Sequence, residues 1–154
     1  MPEAAPQSIQ QLLYPTMTCF GCGPGNPRGL GVASFPPTGD ATVTASFTPW
    51  PEHDNGFGYL NGGIISTLLD CHSAAAAVWA AYERGWMTAD GPVPYVTAGL
   101  DVRYRRPSPL HDTVELTAVV TEAGAAQMTT SAELVFAGRT CASATAVWKR
   151  WRPR

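Results

Sequence analysis

The stretch from Gly62 to Tyr82 reads GGIISTLLDCHSAAAAVWAAY and constrains this chain more than any other feature. It contains no proline and is far too long for a strand, so it forms a helix of about 22 residues, spanning about 33 Å. A helix that is apolar on nearly every side has to be covered on nearly every side. Asp70 interrupts it near the middle. Burying an ionised carboxylate without partners costs several kcal/mol or more, so a chain that keeps one there uses it. Ser66, Asp70 and Ser73 follow i, i+4, i+7 and form a narrow polar stripe. The run Ala74 to Ala77 lets another backbone come close. The helix opens with Asn61-Gly62-Gly63, where Asn61 is a good N-cap and the glycine N–H groups are bare. Helix N-termini carry unsatisfied donors and partial positive charge. A carboxylate and an anion-friendly helix end on one element point to chemistry at a carbonyl.

The flanking pattern says what covers the helix. Ala41 to Thr48 alternates strictly, with Ala41, Val43, Ala45 and Phe47 on one side and Thr42, Thr44, Ser46 and Thr48 on the other. A further strand is expected at Leu30 to Phe35, turned back by Pro36 to Asp40. Four alternating segments follow the helix: Pro94 to Tyr104, Thr113 to Thr121, Gln127 to Phe136 and Thr140 to Trp148. Short turns at Glu122 to Ala126 and Ala137 to Arg139 make these an antiparallel meander. The expected class is α+β, an antiparallel sheet wrapped around one long central helix. Gly85 is placed to end that helix. Ile9 to Leu13 reads as a short helical piece in a leader.

With 154 residues the chain fits a single domain with a sizeable core. A net charge of −2 gives no electrostatic case for nucleic acid, and the basic tail from Lys149 to Arg154 reads as a solvated terminus. Asp70 and His72 lie mid-helix, where each charge costs roughly 3 kcal/mol on insertion into a bilayer, so no membrane partner is expected. The chain does not open on a basic n-region and an apolar h-region, and the expected location is cytoplasmic. Cys19 and Cys22 have zinc-knuckle spacing. A structural zinc takes four ligands, and the other two cysteines are far away in sequence, each in an apolar element. The reading here is a glycine-rich turn carrying reduced thiols, with no metal and no cofactor.

The segment CFGCGPGNPRGL, running from Cys19 to Leu30, is similar to the opening of many PaaI-like (phenylacetate-pathway-type) hotdog thioesterases. The order Asn55, then Asn61-Gly62-Gly63, then Asp70 resembles that family's active-site signature: a loop Asn, a His-Gly-Gly and an acidic residue on the helix. Val102 to Pro107 resembles the strand after the helix, and counting back from Pro107 places Thr97 where such enzymes carry a serine. The chain departs from the pattern at Asn61, which stands where the family has histidine.

The resemblance implies a hotdog fold, with a leader at 1–18, the thioesterase domain at 19–149 and a basic tail at 150–154. It implies an acyl-CoA thioesterase whose sites form across a homodimer or a dimer of dimers. Gly62 would polarise the thioester carbonyl with its N–H, Asp70 would activate water or attack as nucleophile, and Asn55, Asn61 and Thr97 would complete the catalytic set. Gly63 and Ser66 would sit against the substrate, and Arg103 and Arg106 would meet the phosphates of coenzyme A. Alternation alone points Thr97 away from the helix, with Val96, Ala98, Leu100, Val102 and Tyr104 as the apolar set. His72 is two residues past Asp70, on another helix face, and reads as a core or interface histidine. The alternative, motivated by Asn61, is a hotdog protein that binds acyl-CoA or an acyl-carrier protein without turning it over.

Overall fold

A computed structural model describes residues 1–152 and 154; Pro153, within the expected basic tail, lies outside the described residues. In chain order the elements are α1 (Ile9–Leu13), β1 (Val43–Phe47), a 3₁₀ turn (Pro51–His53), α2 (Gly62–Glu83), β2 (Tyr95–Tyr104), β3 (Val114–Glu122), β4 (Gln127–Phe136) and β5 (Arg139–Arg150). The five strands form one sheet in the order β1-β3-β4-β5-β2, every pairing antiparallel. α2 packs against all five. This is the antiparallel sheet around one long helix that the sequence pattern called for, and the hotdog fold that the resemblance implied.

α2 is long and apolar enough to cross a membrane by length and composition, but the sheet takes up its apolar sides. Twelve of its 22 residues are buried, including Leu68, Leu69 and Ala77. The inward positions of β3, β4 and β5 alternate as strands with one covered face should: Val114, Leu116 and Ala118, then Met128, Ala132 and Leu134, then Ala142, Ala144, Ala146 and Trp148. Alanines on both α2 and β5 bring helix and sheet close together. The one bulky inward residue of β5, Trp148, donates its indole N–H to Thr130 Oγ1 at 3.0 Å.

Both helix ends obey local rules. Asn61 Oδ1 accepts from the N–H groups of Gly63 (2.8 Å) and Ile64 (3.2 Å), which caps the first turn. At the far end Gly85 takes φ +71°. Its N–H bonds Tyr82 O and the next N–H, of Trp86, reaches back to Ala81 O, so the last carbonyls are satisfied by a Schellman turn.

Two expectations fail. Leu30 to Phe35 is not a strand; only Phe35 bridges Thr44. Its donors are spent elsewhere: Leu30 N–H on Phe20 O, Val32 N–H on Gly21 O and Ser34 N–H on Gln10 Oε1. The last four strands are also not a simple meander. β3, β4 and β5 are, but β2 lies beyond β5 at the far edge, because 105–113 is long enough to carry the chain across.

The piece read as a leader helps build the core. Ile9 and Leu13 of α1 are fully buried, and Ser8 with Gln11 forms a capping box ahead of them. Gln10 ties α1 to α2 through a buried chain. Its Nε2 donates to Ser34 Oγ at 3.2 Å, and Ser34 Oγ lies 2.8 Å from His72 Nδ1. His72 Nε2 lies 3.0 Å from Val43 O, which can only accept, so Nε2 carries the proton and Nδ1 accepts from Ser34. His72 is thus a neutral core histidine, its pKa pulled down to about 4 by burial. Gln10→Ala strands the Ser34 N–H and breaks this chain. Its expected cost is about 1–3 kcal/mol, seen as a lower urea midpoint at unchanged m-value; an unchanged midpoint would show that α1 is held by its apolar contacts alone.

Candidate active site

Asp70 lies on the α2 face that meets β2, and Thr97 Oγ1 donates to its Oδ1 at 2.9 Å. Strict alternation excluded this contact. It exists because β2 is bulged: Thr97 pairs with Trp148 and Gly99 with Val147, leaving Ala98 as an extra residue. Before the bulge Tyr95 and Thr97 face α2. After it the parity flips, and Tyr104, an odd number of residues away, reaches the same helix. Burial raises the Asp70 pKa; the Thr97 hydroxyl bond lowers it, and the charge of Cys19 raises it again.

Asp70 and Thr97 border a cavity of about 590 Å³. The cavity runs from these two polar groups between α1, α2 and the start of β2, lined by Tyr14, Met17, Ala74, Val78 and Trp148 among others. Its aromatic walls turn their polar ends into protein: Tyr14 donates to Val93 O (2.7 Å), Tyr95 to Ala125 O (2.8 Å) and Trp148 to Thr130. Gln10, also in the lining, spends its amide on Ser34, and what remains facing the space is apolar apart from Asp70, Thr97 and the thiols of Cys19, Cys22 and Cys71. This is a chamber for a hydrophobic group with a carboxylate at its edge, in the size range of small-molecule sites.

The helix start belongs to a different cavity, bordered by Asn55, Tyr59, Gly62, Tyr104, Arg106 and Ser108 among others. Asn61 uses its side-chain oxygen on Gly63 and Ile64, and among the described residues the Gly62 N–H has no acceptor. A Cβ on Gly62 would meet nothing closer than the Tyr104 ring at 3.5 Å, so packing within the protomer does not demand glycine there. Tyr104 fixes this end of the helix. Its hydroxyl donates to Gly62 O at 2.7 Å and lies 2.6 Å from Ser66 Oγ, which is left to donate to it.

The remaining predicted residues fall as follows. Asn55 accepts from Phe57 N–H (2.8 Å) and Tyr59 N–H (3.3 Å), holding an exposed turn whose tip is Phe57; its amide N–H groups stay free beside the Gly62 cavity. Gly63 has its N–H committed to the cap. Ser66 is engaged with Tyr104 and does not reach Asp70, and Ser73, the other member of the stripe, is buried with no partner for its hydroxyl. Arg106 borders the Gly62 cavity and donates to Thr140 O at 3.2 Å. Arg103 does not join it. It pairs with Asp101 at 3.0 Å on the open face of β2, both side chains mostly exposed, a contact of little energetic weight.

Asp70 lies eight residues beyond Gly62, about 12 Å along α2, and the two groups open onto separate cavities. No single reacting centre touches both within one chain. The sequence reading undervalued Tyr104 and missed Cys71 as a neighbour of Cys19 and Cys22. The signal for Tyr104 was its place in the strand segment ahead of Pro107; nothing in the spacing announces Cys71.

The sequence profile of the thioesterase superfamily matches residues 57–142, more than half of the chain. The chain belongs to that superfamily. The match starts in the Asn55 turn and ends in β5, so it includes both cavities' central residues. No curated protein matches the sequence. A thioesterase superfamily protein of known structure is 25% identical, with TM-score 0.66, over 82% of this chain and 60% of that one. Another, from Shewanella loihica, is 27% identical with TM-score 0.64, over 79% of this chain and 92% of that one. The Escherichia coli PaaI protein of the phenylacetic acid degradation operon shares the fold at 21% identity, with TM-score 0.64 over 80% of this chain and 81% of that one. A Streptococcus pneumoniae hypothetical thioesterase solved with coenzyme A shares it at 18% identity, TM-score 0.62, over 75% and 85%. Superfamily membership supports thioester hydrolysis as the general class of activity.

Tyr104→Phe removes the bond to Gly62 O and the acceptor of Ser66 together. The expected loss is about 1 kcal/mol of stability, with faster amide exchange confined to the first turn of α2. Exchange unchanged at Gly63 to Ser66 would mean that Asn61 alone holds the helix start.

Proposed function

We propose that this protein is an acyl-CoA thioesterase, a cytoplasmic homodimer or dimer of dimers, that hydrolyses a thioester to a carboxylic acid and free coenzyme A. The observation that carries this reading is the division of the site: a carboxylate at the edge of an apolar chamber, and an unoccupied N–H at a helix start some 12 Å away on the same helix. A second copy with its α2 antiparallel brings the two together. The partner's Gly62 N–H then holds the carbonyl oxygen, and Asp70 takes a proton from water or attacks the carbonyl carbon itself. The tetrahedral oxyanion is stabilised by the helix N-terminus. The C–S bond breaks and the thiolate leaves. The water oxygen ends in the acid, by way of an acyl-aspartate if Asp70 attacks first.

Three features favour the pairing. β2 is an edge strand of ten residues with no partner on its outer side among the described residues. Val96, Leu100 and Tyr104 on it are all exposed, an unprotected edge that a monomer would ordinarily blunt. Phe57 stands 85% exposed at the tip of the Asn55 turn, an unpartnered aromatic ring that a second copy would cover. Arg105 and Arg106 border that same cavity and supply cations for a phosphorylated thiol carrier. The Streptococcus pneumoniae structure with coenzyme A supports that carrier. The mostly apolar lining of the chamber favours an acyl group with a sizeable apolar or aryl part.

The test is thiol release over a panel of aryl, medium-chain and short-chain acyl-CoAs. Wild type turns over at least one class; Asp70→Asn loses about 100-fold or more in kcat while folding and assembly persist. A mutant with near-normal turnover removes Asp70 from the mechanism, and a wild type that binds the panel without turnover selects the binding-only alternative. Thr97→Val lowers kcat and Thr97→Ser restores it, because the bulge delivers a hydroxyl and not a methyl to Asp70. Asn61→His keeps the helix start and retains activity.

Sharing of the site is tested by complementation. Asp70→Asn is mixed with Gly62→Val, whose branched side chain blocks the N–H, and the dimers are reassembled at random. Half the dimers are then mixed, each with one intact site in two, so activity recovers toward about a quarter of wild type. No recovery in proven mixed dimers places both groups in one chain.

A further inference from the structure

The glycine-rich segment after α1 is folded tightly onto α2, and it carries two of three thiols that meet there. The Sγ atoms of Cys19, Cys22 and Cys71 all lie within 4.8 Å of one another, and Cys19 and Cys71 are 3.8 Å apart. All three cysteines are free. Two sulfurs bound to one tetrahedral zinc, at about 2.3 Å each, sit about 3.8 Å apart. Cys19 and Cys71 therefore already have the spacing that a single ion needs, the third thiol lies within reach of both, and the three come from segments 49 residues apart (Cys22 to Cys71).

The backbone around them is shaped to this arrangement. A Cβ on Gly21 would overlap Cys71 Sγ and press on Thr67 Cγ2 at 2.9 Å. A Cβ on Gly23 would overlap Cys19 N and Met17 O. Gly23 N–H closes the turn on Cys19 O at 2.9 Å.

We propose that Cys19, Cys22 and Cys71 form a trithiolate zinc site that fastens the glycine-rich segment to α2. All three line the large cavity, so the fourth corner of the tetrahedron opens onto it, beside Asp70. A three-ligand set with an open corner holds water or another exchangeable ligand there. Binding displaces the thiol protons and leaves three thiolates on one divalent ion. Soft thiolates select zinc over magnesium or calcium. The proposal depends on the cysteines alone and is read by metal content, so its test does not depend on turnover.

The experiment uses the whole chain, purified under reducing conditions and dialysed against metal-free buffer after loading with zinc. One zinc per chain is expected by mass spectrometry. Cobalt in its place should give a near-ultraviolet thiolate-to-cobalt charge-transfer band and the visible absorption of a tetrahedral ion. Cys22→Ser and Cys71→Ser should weaken zinc binding at least about tenfold, whereas Cys141→Ser, whose thiol lies on β5, should not. Circular dichroism shows whether each variant is folded. Wild-type protein carries its own control, since native labelling of Cys19, the most exposed of the three thiols, should rise when a chelator removes the zinc. Reduced wild-type protein that takes up no zinc, or a cobalt form without the charge-transfer band, overturns the proposal. So does a folded Cys71→Ser variant that binds zinc as tightly as wild type.

Discussion

Everything in this molecule depends on hiding one helix. α2 is apolar on nearly every side, and such a helix is stable in water only when neighbours cover it. A single antiparallel sheet does most of that work, curving so that all five strands touch the helix. α1 and the glycine-rich segment close the side the sheet leaves open, with Ile9 and Leu13 buried and Gly21 packed against Thr67 and Cys71. The alanines of α2 and β5 reduce the separation between layers, which removes the room for water along the helix.

The same constraint creates the site. Covering is incomplete at two places on α2: beside Asp70, where the apolar chamber opens, and at Gly62, where the N–H finds no acceptor. Neither is an accident of loose packing. Asp70 is held by a hydroxyl that only a strand bulge can deliver, and the helix start is held by the Asn61 cap, the Tyr104 hydroxyl and an Asn61 N–H bond to His53 O at 2.8 Å. His53 itself is buried and stacked on Trp50, with ring centroids 4.6 Å apart, rather than exposed in the loop. Two rigidly supported polar groups at opposite ends of a rigid rod suit a reaction that needs both only when a second rod lies alongside.

Loss of the family histidine at Asn61 is chemically mild for the fold and specific for the site. Its oxygen caps two amides, which an imidazole does with different reach, and the Gly62 N–H is left free in either case. Under the proposed function, the Asn55 amide and Arg106 border the same cavity and are the groups left to hold substrate there.

Local rules written along the chain were enough for most of the architecture. The helix, its Asn61 start and its Gly85 stop, and all five strands after Asp40 to within two residues follow from periodicity and capping, because those signals depend only on neighbours in sequence. The opening strand at Leu30 to Phe35 was misread, since its donors are claimed by Phe20, Gly21 and Gln10, partners that alternation does not reveal. The place of β2 beside β5 was equally hidden, because strand order is settled by which edges can be covered and not by the strands' own patterns. The same holds for the site. Asp70, Gly62 and Asn55 could be marked from residue type and spacing, but the contact of Thr97 with Asp70 required an extra residue at Ala98, and the meeting of Cys71 with Cys19 and Cys22 required the glycine-rich segment to fold over α2. Sequence determines what each element is and which face it hides. The tertiary structure alone decides which exposed or reactive groups are brought within bonding distance, since that depends on packing between elements distant along the chain.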